Sequence, residues 1–549
     1  MEFSEFILTP KVEGATLETK SGSVPVTACL TGHHLILYSH DGKNDELWIL
    51  HKNVDSVEKR FSTDRTTLVL KCKDLTDHHI CMPFAEDANN VSESIQALSE
   101  LKRVSALYPF FYKPKFTYHE DGYDLFCPET QISSVLEKSD QWRLSSINLH
   151  FGTCPTYPSQ LIVPKAVDDE IIRRSAQFRQ GGRFPILSYL HTNGRVIMRC
   201  GQPMTGQNQR RCKEDEKLVN TVLGSSHRGY ILDTRSPQVA LQARSKGGGC
   251  ETEFNYPQWR KFHNNLQKFT VYHDSFVRIV EACQDLSATG EKWHNKFEGS
   301  GWMSHVKDVL SAACLVAQCV DREGASVLVH GSEGLDSTLL VTSLAQVVLN
   351  PECRTLRGFL SLIDSEWIQA GYPFADRCFH LVYSDGKSKS EAPSFLLFLD
   401  CVHQLHIQFP LSFEFTTCLL LELHKHTYAS NFGTFLCNSE MERRQHKVRT
   451  RTVSLWSYIL SETCLPQFLN PFYQKREEAI WPSVASQSLV LWDTLFLSAI
   501  IPTEEVEKVV HDSFLYMEGL QHQITSLTNE INLLESSSIS NGRVLQNDI

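Results

Sequence analysis

Twelve consecutive residues constrain the fold more than any other stretch: Val327-Leu328-Val329-His330-Gly331-Ser332-Glu333-Gly334-Leu335-Asp336-Ser337-Thr338. They open as an apolar, β-branched run of the kind that forms a buried strand ending at His330. A tight glycine-containing loop follows. Leu340, Leu344, Val347 and Val348 then recur at helical spacing, so an amphipathic helix is expected directly after the loop. Strand, small-residue loop and helix N-terminus together make an anion cradle, because backbone N–H groups point inward and the helix dipole favours negative charge. The region around it, with strand-like Gly181–Tyr189, Arg195–Arg199 and Gly229–Asp233 and helical patterns through 259–283 and 301–320, reads as one large α/β domain.

Cysteine-dependent phosphatases fill such a frame with H-C-x5-R-[ST]. Their thiolate, its pKa lowered at the helix N-terminus, attacks phosphorus, and their arginine forks two phosphate oxygens. Here the cysteine position is Gly331 and the arginine position is Ser337. Glycine has no nucleophile, and serine supplies no bidentate cation. His330-Gly331-Ser332-Glu333-Gly334 also approaches the serine-hydrolase elbow G-x-S-x-G, with His in place of the first Gly, so a hydrolase using Ser332 stands as the alternative. A turn of this kind between strand and helix is more often purely structural. Of 17 cysteines none lies in the loop, Cys319 precedes the strand, and no C-x-x-C pair exists. They read as reduced, mostly buried thiols of a cytoplasmic protein. No cofactor and no metal is expected.

Charge divides the 549 residues into three. Residues 1–105 hold 11 Lys/Arg against 16 Asp/Glu, residues 106–502 hold 40 against 40, and residues 503–549 hold 2 against 8. The total of −11 argues against nucleic-acid binding. The first piece (1–105) is β-rich, with Val26–Tyr38 alternating around Thr31-Gly32, short runs at 47–50 and 67–70, and a turn cluster over His40–Asp45. It closes on a helical stripe of Ala88, Val91, Ile95, Leu98 and Leu101, the layout of a pleckstrin-like sandwich, although an unspecified small α+β domain fits the pattern almost as well. The aromatic connector Tyr108–Pro114 is expected to pack on a neighbouring domain. In the tail, Met517, Leu520, Ile524, Leu527, Ile531 and Leu534 recur at 3-4-3-4-3, and Val506 and Val510 extend the register. That period is the seam of a coiled coil over 503–536. Residues 537–549 read as a disordered tail. The fold class is therefore multidomain α+β: sandwich, cysteine-phosphatase-like α/β domain over 106–502, coiled coil.

The chain resembles the myotubularin family of 3-phosphoinositide phosphatases. Against that family's H-C-S-D-G-W-D-R-T, it keeps His330, Ser332, Gly334, Asp336 and Thr338, and changes the other positions to Gly331, Glu333, Leu335 and Ser337. Similar stretches include Gly182–Ser188, Lys213–Lys217, Asp233-Thr234-Arg235, Lys246–Gly249, Arg354–Phe359, Phe398–Val402, Phe432–Leu436 and Thr452–Ser457. Within the family the loop H-G-[ST]-E-G resembles a catalytically inactive subtype. The resemblance implies a pleckstrin-homology/GRAM-like β-sandwich for the first piece and a pseudophosphatase that acts as a phosphatase regulator in phosphoinositide metabolism. It implies hetero-oligomers with the active members six, seven and eight through the coiled coil, raising their activity or stability and setting their location. It implies a cytoplasmic place on perinuclear endomembranes, the endoplasmic reticulum or endosomes. Homo-oligomerisation stays open, as does a lipid-binding scaffold without a phosphatase partner.

Losing a bidentate arginine contact removes charge-assisted hydrogen bonds of roughly 1.5–3 kcal/mol each, so weak or absent headgroup binding is expected in the loop. Peripheral membrane contact remains open through residues 165–217, with 11 Lys/Arg against 6 Asp/Glu, although internal salt bridges are the favoured reading. His33-His34 and His78-His79 are adjacent on strands and so face opposite sides, poor geometry for chelating one ion.

Overall fold

The computed structural model describes residues 3–498 except 20–21, 40–45, 63–64, 127, 224–227, 286 and 385–389, together with 519–520 and 523–531. One compact unit runs to Trp492, and a second begins at Asp493.

The N-terminal part of the first unit is an antiparallel sheet of seven strands: β1 (Lys11–Thr19), β2 (Gly22–Leu30), β3 (His34–Ser39), β4 (Glu46–Leu50), β5 (Val54–Phe61), β6 (Thr66–Cys72) and β7 (Asp77–Met82). Their order is β4-β3-β2-β1-β7-β6-β5. The expected alternation over Val26–Tyr38 is the β2–β3 hairpin, closed where the Thr31 N–H donates to the His34 carbonyl at 2.9 Å. The runs at 47–50 and 67–70 lie in β4 and β6. The turn cluster His40–Asp45 falls outside the described residues.

Helix α1 (Ala85–Ser99) turns Ala88, Val91, Ile95 and Leu98 onto the sheet, where all four are buried. Burying each of the three larger side chains stabilises the domain by roughly 1.5–3 kcal/mol. Leu101, expected on the same stripe, is not helical. The chain leaves the helix after Ser99, and Leu101 instead lines a cavity between this sheet and the following domain.

The aromatic connector does pack on its neighbours. Tyr108 sets its ring 4.4 Å from His34, and Tyr112 sits 5.4 Å from Phe432. The sheet is tied to the following domain through Asp55, whose carboxylate accepts the Leu381 and Tyr383 N–H groups at 2.9 and 2.8 Å.

The second part begins with a two-stranded ribbon, β8 (Trp142–Ser145) and β9 (Leu161–Pro164). A five-stranded sheet follows: β10 (Ile186–Leu190), β11 (Val196–Cys200), β12 (Gly229–Asp233), β13 (Trp259–His263) and β14 (Ser326–His330). Its order is β10-β11-β14-β12-β13. β10 runs antiparallel to β11, and the remaining pairs are parallel. Every residue of the central β14 is buried, as its apolar run requires.

Two expected elements are shorter than their pattern. Gly181–Pro185 is not strand, because Gly181 and Gly182 hold φ of 63° and 72° in a 3-10 turn. A side chain at 182 would bring its Cβ within 2.4 Å of the Thr153 carbonyl. The helix expected over 259–283 starts only at Phe269, since Trp259–His263 form β13 in register with β12. The other long helix is as read, Trp302–Asp321.

The helix after β14, α2 (Ser337–Leu349), is buried over its whole length behind Ser337. It packs on helix Trp302–Asp321 and on α3 (Ser394–Gln408). In the second unit residues 523–531 are helical, and Ile524, Leu527 and Ile531 are exposed by 59%, 58% and 55%. Leu520 is half-buried. Val506, Val510, Met517 and Leu534 of the expected seam lie outside the described residues, as does the 537–549 tail.

Candidate functional site

The loop between β14 and α2 sits where the parallel strands end, the position a phosphate cradle occupies. Its turn depends on Gly334, whose φ is +72° and whose Cβ, if present, would lie 2.4 Å from the Cys200 carbonyl. The next bend falls on Asp336, a non-glycine residue at φ 40°. The N–H groups of Ser332 to Ser337 meet no carbonyl among the described residues, so the backbone half of an anion site is in place.

Behind the loop runs a buried chain of charge. His330 Nε2 lies 2.9 Å from Glu251 Oε2, and its Nδ1 is 3.2 Å from the Gly331 carbonyl. Arg179 Nη1 donates to Glu251 at 2.6 Å, and Arg179 grips Asp215 through Nε and Nη2 at 2.9 and 2.6 Å. Ser175 and Tyr256 donate hydroxyls to the same Asp215. Burial alone would raise the Glu251 pKa, but His330 and Arg179 hold it well below the usual carboxylate range. Both imidazole nitrogens of His330 are thus committed inward.

The space beside Gly331 is closed. A Cβ at Gly331 would sit 2.8 Å from Thr234 Oγ1, 3.3 Å from Ser337 Oγ and 3.4 Å from Thr338 Oγ1. Thr234 and Ser337 share a hydrogen bond of 2.8 Å across that space. Thr338 Oγ1 is buried and has no partner among the described residues, and it lies 3.4 Å from where a Cβ at 331 would stand. Asp336 is buried and fully engaged. Arg377 reaches its two oxygens at 2.9 and 3.3 Å, and Ser394 donates its hydroxyl at 2.8 Å. Ser332 and Glu333 are exposed, Leu335 is half-buried, and the Ser332 hydroxyl has no partner among the described residues. A Ser332–His330 couple is not assembled.

Two arginines near the loop are committed to partners of their own. Arg235 is held by both oxygens of Asp233 and by Gln202. Arg183 donates to the carbonyls of Ala370 and Gly334. The expected salt bridges of the 165–217 stretch are present: Arg173 and Arg174 on Glu170, Arg179 on Asp215 and Arg211 on Glu216. Among the histidine pairs, His33 Nε2 meets the Ala106 carbonyl at 3.0 Å, His34 packs against Trp48, and His79 faces Glu18 at 3.7 Å.

Thus the structure gathers His330 through Thr338 in one loop, while the seam residues belong to the second unit. Sequence reading missed Glu251, Thr234, Arg377 and Ser394 as the loop's partners. Thr234 and Glu251 leave traces, the one inside Asp233-Thr234-Arg235 and the other directly after Gly247-Gly248-Gly249-Cys250.

Comparison with known proteins places this geometry. The family described as "Myotubularin-like phosphatase domain" matches residues 107–444, and that described as "MTMR6-9, GRAM domain" matches residues 15–99. Myotubularin-related protein 9 of Mus musculus is 49% identical over 98% of this chain and 99% of its own length. The Homo sapiens protein of that name is 48% identical over 98% of both chains. The Homo sapiens phosphatidylinositol-3,5-bisphosphate 3-phosphatase MTMR6 is 34% identical over 96% of this chain and 86% of its own.

Proposed function

The chain belongs to the myotubularin-related family, and from that premise we propose that it is a catalytically inactive regulatory subunit for active 3-phosphoinositide phosphatases of the same family. The observation that carries this reading is position 331. A nucleophile is missing there, and its space is taken by the Thr234–Ser337 hydrogen bond. The second requirement of phosphoryl transfer, a cation at 337, is missing as well. The buried Arg179–Glu251–His330 chain preserves the loop's shape without its chemistry.

The partner surface in this reading is the C-terminal seam. Ile524, Leu527 and Ile531 are spaced by three and four and stand exposed on one helix. Exposed apolar residues at that spacing are stabilised when a second helix covers them. The partner is an active phosphatase of the six, seven and eight subgroup, and the complex works on the cytoplasmic side of endomembranes. Its test is co-precipitation of the full chain, and of a chain lacking 506–536, with a phosphatase such as MTMR6. Association is expected only with the full chain; equal recovery with the deletion refutes the seam as the contact.

A further inference from the structure

A cavity of about 510 Å³ lies along β10, and all five residues of that strand line it. β10 is the last strand on its side of the sheet. Apart from its pairing with β11, no N–H or carbonyl of Ile186–Leu190 bonds to another backbone group among the described residues. An unpaired strand edge is a template for an added strand.

Two buried polar atoms with no partner among the described residues belong to side chains that line this cavity: Arg199 Nη1, a donor, and Gln160 Oε1, an acceptor. Arg199 is 4% exposed. The only hydrogen bond of its guanidinium among the described residues runs from Nε to Glu366 Oε2, at a long 3.3 Å. That same carboxylate oxygen also accepts the Ser188 and Thr342 hydroxyls. Arg183 lies close enough to be felt electrostatically, with Tyr157 beneath both guanidiniums. Arg199 thus meets its one buried carboxylate through Nε alone, with a second buried cation nearby. At the rim, Arg357 is neutralised by Glu120 and Glu352 by Lys475. The Nη edge of Arg199 is left without a partner among the described residues, and a guanidinium edge of this kind takes a carboxylate in a fork. Around it the walls are apolar, with Phe126, Ile132, Val135, Ile162 and Leu362.

We propose that this cavity seats an extended peptide of a partner protein, which adds as a strand to the outer edge of β10 and places an aspartate or glutamate carboxylate on Arg199. One of its backbone N–H groups satisfies Gln160 Oε1, and its flanking apolar side chains fill the walls. None of the residues lining this surface belongs to the loop at 330–338, so it would recruit a partner that the loop does not hold.

The test is selection of phage-displayed random heptapeptides on the immobilised full-length chain, with counter-selection on Arg199→Met. Ser365→Trp serves as the second variant; it brings an indole to the cavity lining and removes no ion pair. The expected pool carries one acidic residue between apolar ones. The synthetic peptide should bind about tenfold or more tightly than its amide-for-acid counterpart, the loss expected for one charge-assisted bond. Backbone N-methylation at alternate residues should abolish binding, and Ser365→Trp should abolish it while keeping the parent melting temperature. A pool without acidic residues, equal binding to either variant, tolerance of N-methylation, or no enrichment overturns the proposal.

Discussion

Placing a thiol at position 331 tests the proposed loss of chemistry in the loop most sharply. In Gly331→Cys the new Cβ arrives 2.8 Å from Thr234 Oγ1 and 3.3 Å from Ser337 Oγ, where ordinary contacts start near 3.4 Å. Thr234 must rotate or shift, and its 2.8 Å hydrogen bond to Ser337 is lost. That bond contributes about 1 kcal/mol, and overpacking a well-filled site costs typically 1–3 kcal/mol. The thiol in turn offers the orphaned Thr338 hydroxyl a partner, which offsets a fraction of this. Gly331→Cys is therefore expected to lose about 1–3 kcal/mol in urea unfolding, and Thr234→Ala in the same chain to recover most of it. Adding Ser337→Arg should restore little phosphatase activity. Asp336 stays clamped by Arg377 and Ser394, and Glu333 and Leu335 still depart from the active pattern. An unfolding midpoint equal to the parent for Gly331→Cys, or turnover by Gly331→Cys with Ser337→Arg close to that of an active relative, would refute the reasoning.

Three further outcomes follow from the packing. Arg377→Met leaves the buried Asp336 carboxylate without its cation and should destabilise by about 3–5 kcal/mol, with Asp336→Asn in the same chain recovering part of it in denaturant melts. Asp400, buried beneath Trp302 and Gln404, has its pKa pushed up by burial to about 6, against 3.8 for an ordinary aspartate, although both hydrogen bonds pull it down. Because the folded state holds this proton more tightly, stability is full below pH 4 and falls by about 3 kcal/mol as pH rises through 6, at about 1.4 kcal/mol per unit. Asp400→Asn should lack that decline, and a parallel pH profile for the two chains would count against it. His403 stacks on Trp492 at 4.8 Å with neither ring nitrogen paired among the described residues, and burial lowers its pKa to about 4. His403→Phe keeps the stack and removes the orphaned nitrogens. It should gain roughly 1 kcal/mol at neutral pH and more as pH falls from 6.5 toward 4, where the parent must protonate; thermal melts at pH 7 and 5 read the difference.

The parts of the fold legible in the sequence are those where one residue pattern decides one local structure. The buried run Val327–Val329 and the glycines at 331 and 334 specify strand and loop without help from the rest of the chain. β1 is not legible, because Lys11–Thr19 carries few apolar residues and gains its place from pairing with β2 and β7. Trp259–His263 reads as helix for a similar reason, since only its register against β12 makes it strand. At the site, His330 through Thr338 were found by local spacing. Their partners Thr234, Glu251, Arg377 and Ser394 come from as far as 103 residues away by sequence, the separation of Thr234 from Ser337, and no local pattern announces such contacts.

The central claim is that the loop is shaped for phosphate and chemically silent. Phosphate release from phosphatidylinositol 3,5-bisphosphate by the purified full-length chain, alone and mixed with an active phosphatase such as MTMR6, measures it directly. The expected result is no turnover by the chain alone and a higher rate for the mixture than for the phosphatase by itself. Turnover by the chain alone that disappears in Ser332→Ala contradicts the claim.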